Sequence, residues 1–142
     1  MGKSTTFSND ILALIFNGTP IANLADNAAS SPLTNLYMAL HTADPGAAGN
    51  QTTNESSYTG YARVAVVRTG SGWSVNAGSV SPNSNVSWPQ CTGGSGTATY
   101  ISVGTVLSGT GKILYSGAVT PGIAYSNGVV PQMTPSSSIT EA

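Results

Sequence analysis

Few side chains in this sequence could carry chemistry, and the most versatile of them is a single histidine. His41 lies three residues before Asp44, and Cys91 is the only cysteine. A Ser-His-Asp or Cys-His site would have to use His41 as its base. Because serines are so abundant that a match to such a site is uninformative, we predict that His41 instead hydrogen-bonds to its own turn.

Motifs for metal ions, cofactors and phosphate groups are absent as well. One histidine and one cysteine cannot form a zinc site, and the scattered acidic residues form neither a calcium loop nor a carboxylate pair. Residues 109–112 read Gly-Thr-Gly-Lys, but Val106 and Ile113 stand where a phosphate loop needs Gly and then Ser or Thr. We therefore predict no catalytic residue, no metal site and no cofactor, and a protein that is not an enzyme.

Scarcity of charge is the most informative property of the composition. Charged residues make up 6% of the 142 residues, whereas an ordinary soluble domain is about a quarter charged. Four Lys and Arg residues and a net charge of −1 give no basic patch for nucleic acid. A neutral surface suits a protein that packs against copies of itself or against a larger lattice. The charged residues are Lys3, Asp10, Asp26, Asp44, Glu55, Arg63, Arg68, Lys112 and Glu141.

Nothing in the sequence indicates a membrane segment. A spanning helix needs about 18 or more apolar residues in a row, and the first apolar run covers only residues 11–16. This run also lacks the basic leader and the small-residue cleavage site of a secretion signal. We expect a protein that is made and kept in a cytoplasm and has no membrane partner.

One helix is predicted near the N-terminus, over residues 8–17. Ser8 is its expected N-cap. Phe7 just before this cap could pack on Leu12 as a hydrophobic staple. Gly18 is expected to end the helix, since glycine adopts the left-handed conformation that follows many helices.

The pattern after the helix is that of short strands. In residues 35–41, Leu36, Met38 and Leu40 recur at every second position and should face the core together. Regular strands bounded by turn residues indicate a mainly β fold, a single-domain β-sandwich or jelly roll with one short N-terminal helix. The other predicted strands cover residues 62–68, 73–75, 85–88, 97–103, 112–119, 123–125 and 129–133. The domain of residues 1–142 then consists of an N-terminal arm (1–7), the helix (8–17), a weak helical turn (21–29), the β-sandwich (34–133) and a C-terminal tail (134–142).

A structural turn is predicted at the end of the strand over residues 35–41, and it includes His41. Asp44 can accept backbone N–H groups, Pro45 fixes φ, and Gly46 allows a positive φ. The polar loop that follows, over residues 47–59, is long enough to suggest a role in an interface.

Two arginines lie in the strongest predicted strand, and strict alternation places Arg63 and Arg68 on opposite faces. At least one of them must therefore leave the core face or find a carboxylate. Asp44 and Glu55 are the nearest carboxylates in sequence. Aromatic side chains with polar tips often cement interfaces, and some could stack on a carbohydrate. The predicted interface comprises Lys3, Phe7, Tyr58, Tyr61, Arg63, Arg68 and Trp88.

Five segments are distinctive beyond their secondary structure. Residues 36–46 read LYMALHTADPG and residues 58–66 read YTGYARVAV. These segments, together with residues 6–12, 91–94 and 111–117, resemble a group of small virion proteins of tailed bacteriophages that are often described as tail or tail-fibre proteins. The similarity spans nearly the whole chain. The size and the β-rich pattern are also similar to those of head decoration, or cement, proteins.

The resemblance implies a non-enzymatic structural protein of the virion, assembled in the cytoplasm of the host bacterium. We expect a capsid decoration protein that stabilises the head lattice, with the major capsid protein or copies of itself as partners. A tail or tail-fibre-associated protein that contacts other tail proteins is the alternative, and a carbohydrate-binding module is a more remote one. One of the two polar ends of the chain, residues 1–6 or residues 136–142, is expected to contact neighbouring chains.

Overall fold

A computed structural model describes residues 4–21 and 32–140 of the chain. The fold of these residues is mainly β, with one short helix near the N-terminus, as predicted. Two compact units share the chain. The first unit contains Met1–Asn35, Val66–Asn85 and Thr134–Ala142, and the second contains Leu36–Ala65 and Val86–Met133. The assignment of the whole chain to one domain stays a prediction.

The strands of the described residues are β1 Asn35–His41, β2 Val64–Val67, β3 Trp73–Asn76, β4 Ser79–Pro82, β5 Val86–Ser87, β6 Gly96–Gly104, β7 Ile113–Tyr125, β8 Gln132–Met133 and β9 Ile139–Thr140. They form three sheets. A four-stranded sheet has the order β2-β1-β6-β7, a three-stranded sheet has the order β3-β4-β9, and β5 pairs with β8. Most of β1 and all of β6 and β7 belong to the second unit.

The helix of the first unit begins earlier than predicted. Helix α1 spans Thr5–Leu12 and continues as a π-helical turn over Ala13–Asn17. Its N-cap is Ser4, whose hydroxyl accepts a hydrogen bond from the backbone N–H of Phe7 at 3.2 Å. Ser8 lies one turn further along and is buried within the helix. The predicted start was wrong because two serines one turn apart offer equivalent caps, and the fold uses the first.

The hydrophobic staple predicted for Phe7 and Leu12 is also wrong. Phe7 lies inside α1 instead of before its cap, and its side chain is 40% exposed, whereas Leu12 is fully buried. The predicted end of the helix is confirmed, because Gly18 follows the π-helical turn with a φ of 66°. The helical turn predicted over residues 21–29 lies outside the described residues, apart from Ile21.

The three-stranded sheet of the first unit packs against this helix. Strands β3 and β4 form an antiparallel hairpin, and its two central residues, Ala77 and Gly78, both have positive φ. The side chain of Asn9 on α1 accepts a hydrogen bond from the N–H of Gly78. Phe16 of the π-helical turn meets Trp73 of β3 edge-on, with ring centroids 4.6 Å apart. Aromatic packing and one side-chain hydrogen bond therefore join the helix to the sheet.

Described segments near both ends of the chain contribute to this first unit, which corrects two predictions. The tail assigned to residues 134–142 contains β9, whose Ile139 and Thr140 pair with Val80 and Ser79 of β4. The arm assigned to residues 1–7 contains the cap and the first residues of α1. A two-residue strand is too short to show an alternating pattern, so the sequence did not indicate β9. Residues 1–3 lie outside the described residues.

One long strand replaces two predicted ones. Residues 112–119 and 123–125 were expected to be separate strands, but β7 runs through both. Ala98 of β6 pairs with Ile123 and Tyr100 pairs with Ala118, so residues 119–122 bulge opposite a single residue of β6. Pro121 lies within this bulge, a place where a missing N–H costs no ladder hydrogen bond.

The predicted core face of β1 is confirmed. Leu36, Met38 and Leu40 are all buried, and the indole N–H of Trp88 donates to the backbone carbonyl of Met38 at 3.2 Å. His41 on the opposite face of β1 is buried too. The sequence pattern does not reveal this second burial, because the partners of His41 are the backbone oxygen of Thr53 in the following loop and the hydroxyl of Ser102 on β6.

Candidate functional site

The loop after β1 folds back onto its own unit. Backbone N–H groups of Thr42 and Ser56 form hydrogen bonds with the carbonyls of Asn54 and Leu40. The loop thereby encloses six polar side chains, some of them only partly buried. We call these six side chains the buried polar cluster. The cluster consists of His41, Gln51, Glu55, Tyr61, Arg63 and Ser102. The loop over residues 47–59 buries Gln51, Ser56 and Tyr58 and leaves many of its other residues exposed, and its predicted interface role stays a prediction.

Arg63 is the centre of the buried polar cluster. Its Nε and one terminal nitrogen donate to the two carboxylate oxygens of Glu55 at 2.7 and 2.8 Å. The guanidinium also donates to the backbone carbonyls of Val106 at 3.0 Å and Gly109 at 2.9 Å. The side chain of Arg63 is 2% exposed and that of Glu55 15%. This bidentate pair confirms that Arg63 finds one of the two carboxylates nearest in sequence.

Tyr61 links this ion pair to β1. Its hydroxyl donates to Glu55 at 2.9 Å and accepts from the backbone N–H of Leu40 at 3.1 Å. Burial raises the pKa of Tyr61 well above its ordinary value, and the neighbouring Glu55 carboxylate raises it further. The phenol therefore stays protonated and holds its hydrogen bond to Glu55.

His41 forms a pair with a serine that resembles a nucleophile and its base. Its Nε2 lies 2.8 Å from Ser102 Oγ, and its Nδ1 lies 2.8 Å from the backbone oxygen of Thr53. The carbonyl oxygen of Thr53 can only accept, so Nδ1 carries the proton, and Ser102 donates to Nε2 of the neutral ring. Burial lowers the pKa of His41, which favours this neutral form. The prediction that His41 bonds to its own turn is therefore wrong.

The surroundings of this pair do not fit catalysis by nucleophilic attack. Ser102 is 1% exposed and His41 is fully buried, so a substrate has no path to the hydroxyl. Asp44 does not take part as a third member, because its carboxylate accepts from the N–H of Gly46 at 2.8 Å. Geometry therefore favours a structural role for the serine and histidine.

Gln51 fills the space between the loop and the end of β6, a role that no sequence pattern indicates. Its side-chain oxygen accepts from the N–H groups of Thr105 and Val106, each at 3.0 Å, and its amide nitrogen donates to the carbonyl of Val106. A Cβ atom on Gly104 would lie 2.2 Å from this side chain, and one on Gly111 would lie 2.0 Å from it. Gln51 is one polar residue of a polar loop, and only the folded loop distinguishes it from its neighbours.

The predicted interface residues of the second unit lie mostly in its interior. Tyr58 is buried, donates to the carbonyl of Pro89 at 2.7 Å, and packs on the rings of Tyr61 and Tyr125. Burial raises the pKa of Tyr58 to about 12. Trp88 and Arg63 are buried as well. These side chains serve the core of this chain, and Tyr58 and Tyr61 do not form an open platform on which a sugar could stack.

Two of the predicted interface residues of the first unit, Phe7 and Arg68, lie among the described residues. Phe7 is exposed on α1. Arg68 donates to the backbone carbonyls of Leu14, Ile15 and Leu33, so it binds the C-terminal part of the helical segment. Lys3 lies outside the described residues.

The predicted turn after β1 is confirmed at Asp44, Pro45 and Gly46. Gly46 has a φ of 73°, and Pro45 is buried. This turn forms one wall of an open groove with a volume of about 390 Å³. The groove is lined by Asp44, Gly46, Ala47, Gly49, Tyr100, Ile113, Leu114, Tyr115 and Ser116.

Ligands for a metal ion do not converge in the part of the chain that the structure describes. No group of three or more His, Cys, Asp or Glu side chains lies close enough there to hold one. Cys91 is buried as a free thiol, and its sulfur lies 3.4 Å from the carbonyl of Gly93. Neither helical segment among the described residues is long and apolar enough to cross a membrane.

The family of the chain follows from a match over almost its whole length. The family model described as Podophage GP4 fiber I protein gp80 matches residues 2–139. The chain belongs to this family. Its resemblance to small virion proteins of tailed phages is thereby confirmed, and membership supports a structural role of the tail-fibre kind. No curated protein matches the chain.

Proposed function

We propose that this protein is a non-enzymatic structural component of a phage tail fibre. The observation that carries the proposal is that the most reactive side chains are buried inside the protein. Arg63 and Glu55 neutralise each other, the only histidine is fully buried, and the only cysteine is buried. A fold that uses these groups to hold a loop leaves a neutral exterior for contact with other proteins.

The position in the particle is inferred from the family. The description of the matching family names a fibre protein, which favours the tail over the head. The partners that we propose are other tail proteins and copies of the chain itself. Because few charges lie on the surface, these contacts should depend only weakly on salt. Head decoration, which the sequence alone favours, stays a prediction that the same experiment tests.

Immunogold labelling of intact particles tests this position. Antibodies raised against the purified protein should place gold on the tail and leave the head shell bare. Particles that lack the protein serve as the control for nonspecific label. Gold confined to the head would overturn the fibre assignment and support capsid decoration.

A pair of serine variants tests the absence of enzymatic function. Ser102 bonds to His41, whereas Ser56 is equally buried and its hydroxyl has no hydrogen-bond partner among the described residues. Ser102→Ala and Ser56→Ala should both enter particles, and both particles should remain infectious. If Ser102→Ala alone gave intact but non-infectious particles, a catalytic role for Ser102 would replace the proposal.

A further inference from the structure

The groove beside the loop after β1 opens on the sheet face that carries part of the buried polar cluster. Tyr100 and Ser102 lie two residues apart on β6, opposite His41 and Ala39 of β1, so their side chains share this face. Ser102 is 1% exposed, whereas Tyr100 is half-buried and lines the groove. This face of the sheet is therefore covered at Ser102 and becomes accessible to a ligand at Tyr100.

The turn that lines the groove is held in one conformation by its own hydrogen bonds. The carboxylate of Asp44 accepts from the N–H of Gly46 at 2.8 Å, and the N–H of Gly49 donates to the carbonyl of Gly46 at 3.0 Å. The side-chain amide of Asn54 donates to the backbone carbonyl of Asp44 at 2.9 Å. A wall fixed in this way loses little conformational freedom when a ligand binds, which favours affinity.

Several polar atoms of the lining remain available to a ligand. One carboxylate oxygen of Asp44 belongs to the turn, and the other makes no hydrogen bond with the residues that the structure describes. Within the same residues, the hydroxyls of Tyr100 and Ser116 have no hydrogen-bond partner either. Ile113 and Leu114 add apolar surface to the groove. The lining thus combines a few hydrogen-bonding groups with apolar and aromatic surface, as sites for small molecules do.

Charge limits the class of ligand that this groove can take. Asp44 is the only charged side chain in the lining, so a phosphate or an acidic sugar would meet a like charge and no cation. A metal ion needs several oxygen ligands, whereas one carboxylate is present here. A single carboxylate in an open groove also binds an ammonium ion only weakly in water. An uncharged molecule with several hydroxyls uses the lining best, because each hydroxyl can donate a charge-assisted hydrogen bond to the carboxylate.

We propose that this groove binds a neutral carbohydrate of one or two sugar rings. Hydroxyls of the sugar donate to the free oxygen of Asp44, and the aromatic ring of Tyr100 packs against the C–H face of the sugar. The volume of about 390 Å³ lies near the lower end of the range of about 300–1,000 Å³ for small-molecule sites, which favours a short ligand. The proposal concerns a groove of this chain wherever the protein lies in the particle, so it does not rest on the proposed function.

Nuclear magnetic resonance titration of the full chain tests the binding. The probes are the methyl glycosides of glucose, galactose, mannose, rhamnose and N-acetylglucosamine. At least one of them should shift the amide signals of Gly46, Ala47 and Gly49 in a saturable way. Inorganic phosphate and methylammonium, at matched concentration and ionic strength, should leave these signals in place. The proposal is wrong if none of the sugars gives a saturable shift, or if methylammonium alone does so.

Two tyrosine variants locate the binding. Tyr100→Val removes the aromatic ring from the groove and keeps a residue that favours strands, so it should weaken sugar binding by about tenfold or more. Tyr37→Val is the matched control, because Tyr37 is a half-buried tyrosine of the same sheet that does not line the groove. It should leave the affinity for the sugar unchanged. Equal losses in the two variants would mean that binding does not occur at the groove, and would overturn the proposal.

Asp44→Asn tests the carboxylate without removing the turn. The amide oxygen can still accept from the N–H of Gly46, whereas the charge is lost. Because charge-assisted hydrogen bonds are about twice as strong as neutral ones, sugar binding should weaken by about threefold or more. Undiminished binding would overturn the role of Asp44 in the site. Gold on the head together with sugar binding in solution would overturn the fibre assignment and leave this proposal standing.

Discussion

The two arginines that flank β2 are neutralised in different ways. Arg63, in the second unit, pairs with the carboxylate of Glu55 and adds two backbone carbonyls. Arg68, in the first unit, bonds among the described residues only to backbone carbonyls, two of which belong to the helical segment. Loss of Arg63 would leave the Glu55 carboxylate without its counter-ion, whereas loss of Arg68 would leave only the partial charges of carbonyl groups among the described residues. The difference shows why the cost of removing a buried arginine depends on what remains.

Arg63→Met should have the largest effect on stability. It leaves the Glu55 carboxylate largely buried without its counter-ion and removes the donors to two carbonyls. Breaking a buried ion pair on one side typically costs about 3–5 kcal/mol. Chemical denaturation should show a decrease in the free energy of unfolding of this size.

The double variant Arg63→Met/Glu55→Gln is the control for this effect. It removes the stranded charge along with the arginine, so it should recover part of the lost stability. A double variant as unstable as Arg63→Met would mean that the carbonyl contacts, not the charge of Glu55, dominate. The contrast between the two arginines would then disappear.

Gly111→Ala should have the next largest effect, because it disturbs the packing around the Arg63 site. The new Cβ would lie 2.0 Å from the side-chain oxygen of Gln51 and 2.3 Å from Cγ2 of Val106. Overpacking of this kind typically costs about 1–3 kcal/mol. Thermal unfolding should detect the change, and Gly117→Ala, where the added atom meets open space, should unfold like the wild type. Equal melting of both alanine variants would show that Gln51 can move aside.

Arg68→Met should cost less than Arg63→Met. The variant removes a cation that binds the C-terminal part of the helical segment, an interaction worth about 1 kcal/mol in partly exposed positions. Denaturation measured beside Arg63→Met, in the same buffer, gives the ranking directly. A loss at Arg68 as large as the loss at Arg63 would refute the explanation based on the stranded carboxylate.

The sequence was sufficient where local chemistry decides the structure. The alternation of β1 and the turn at Asp44, Pro45 and Gly46 depend on neighbouring residues, and both were predicted correctly. The Glu55–Arg63 pair was one of two choices, because a buried arginine needs a carboxylate and few exist in the chain. Scarcity of charge thus made a tertiary contact partly predictable.

The sequence was insufficient where distant segments decide the structure. The start of α1 depends on which of two equivalent serines is used, and β9 exists only because β4 offers it a partner. Ser102 and Gln51 show no motif, since each acquires its role from a loop that folds over β6. Tyr58 and Trp88 have interface-like side chains, and only tertiary burial shows that they are core residues.

Protonation of His41 should have the smallest effect on the free energy of unfolding. Like Arg63, His41 belongs to the buried polar cluster under the loop after β1. Burial lowers the pKa of His41 below its ordinary value of 6.5 in the folded protein. As the pH falls through 6.5, the unfolded chain binds the proton before the folded chain does, so the free energy of unfolding decreases. Stability should therefore be greatest above this pH and decline below it, until the pH reaches the lowered pKa of the folded state.

His41→Gln isolates this effect, because glutamine does not titrate and His41 is the only histidine. Denaturation curves between about pH 7.5 and about pH 5.5 cover the range in which, among side chains with ordinary pKa values, histidine titrates. The slope of stability against pH should be smaller in the variant than in the wild type, whatever the variant's absolute stability. Identical slopes would mean that His41 accepts a proton as easily in the folded protein as in the unfolded chain. The hydrogen bond from Ser102 to a neutral ring would then be the wrong description of the buried polar cluster.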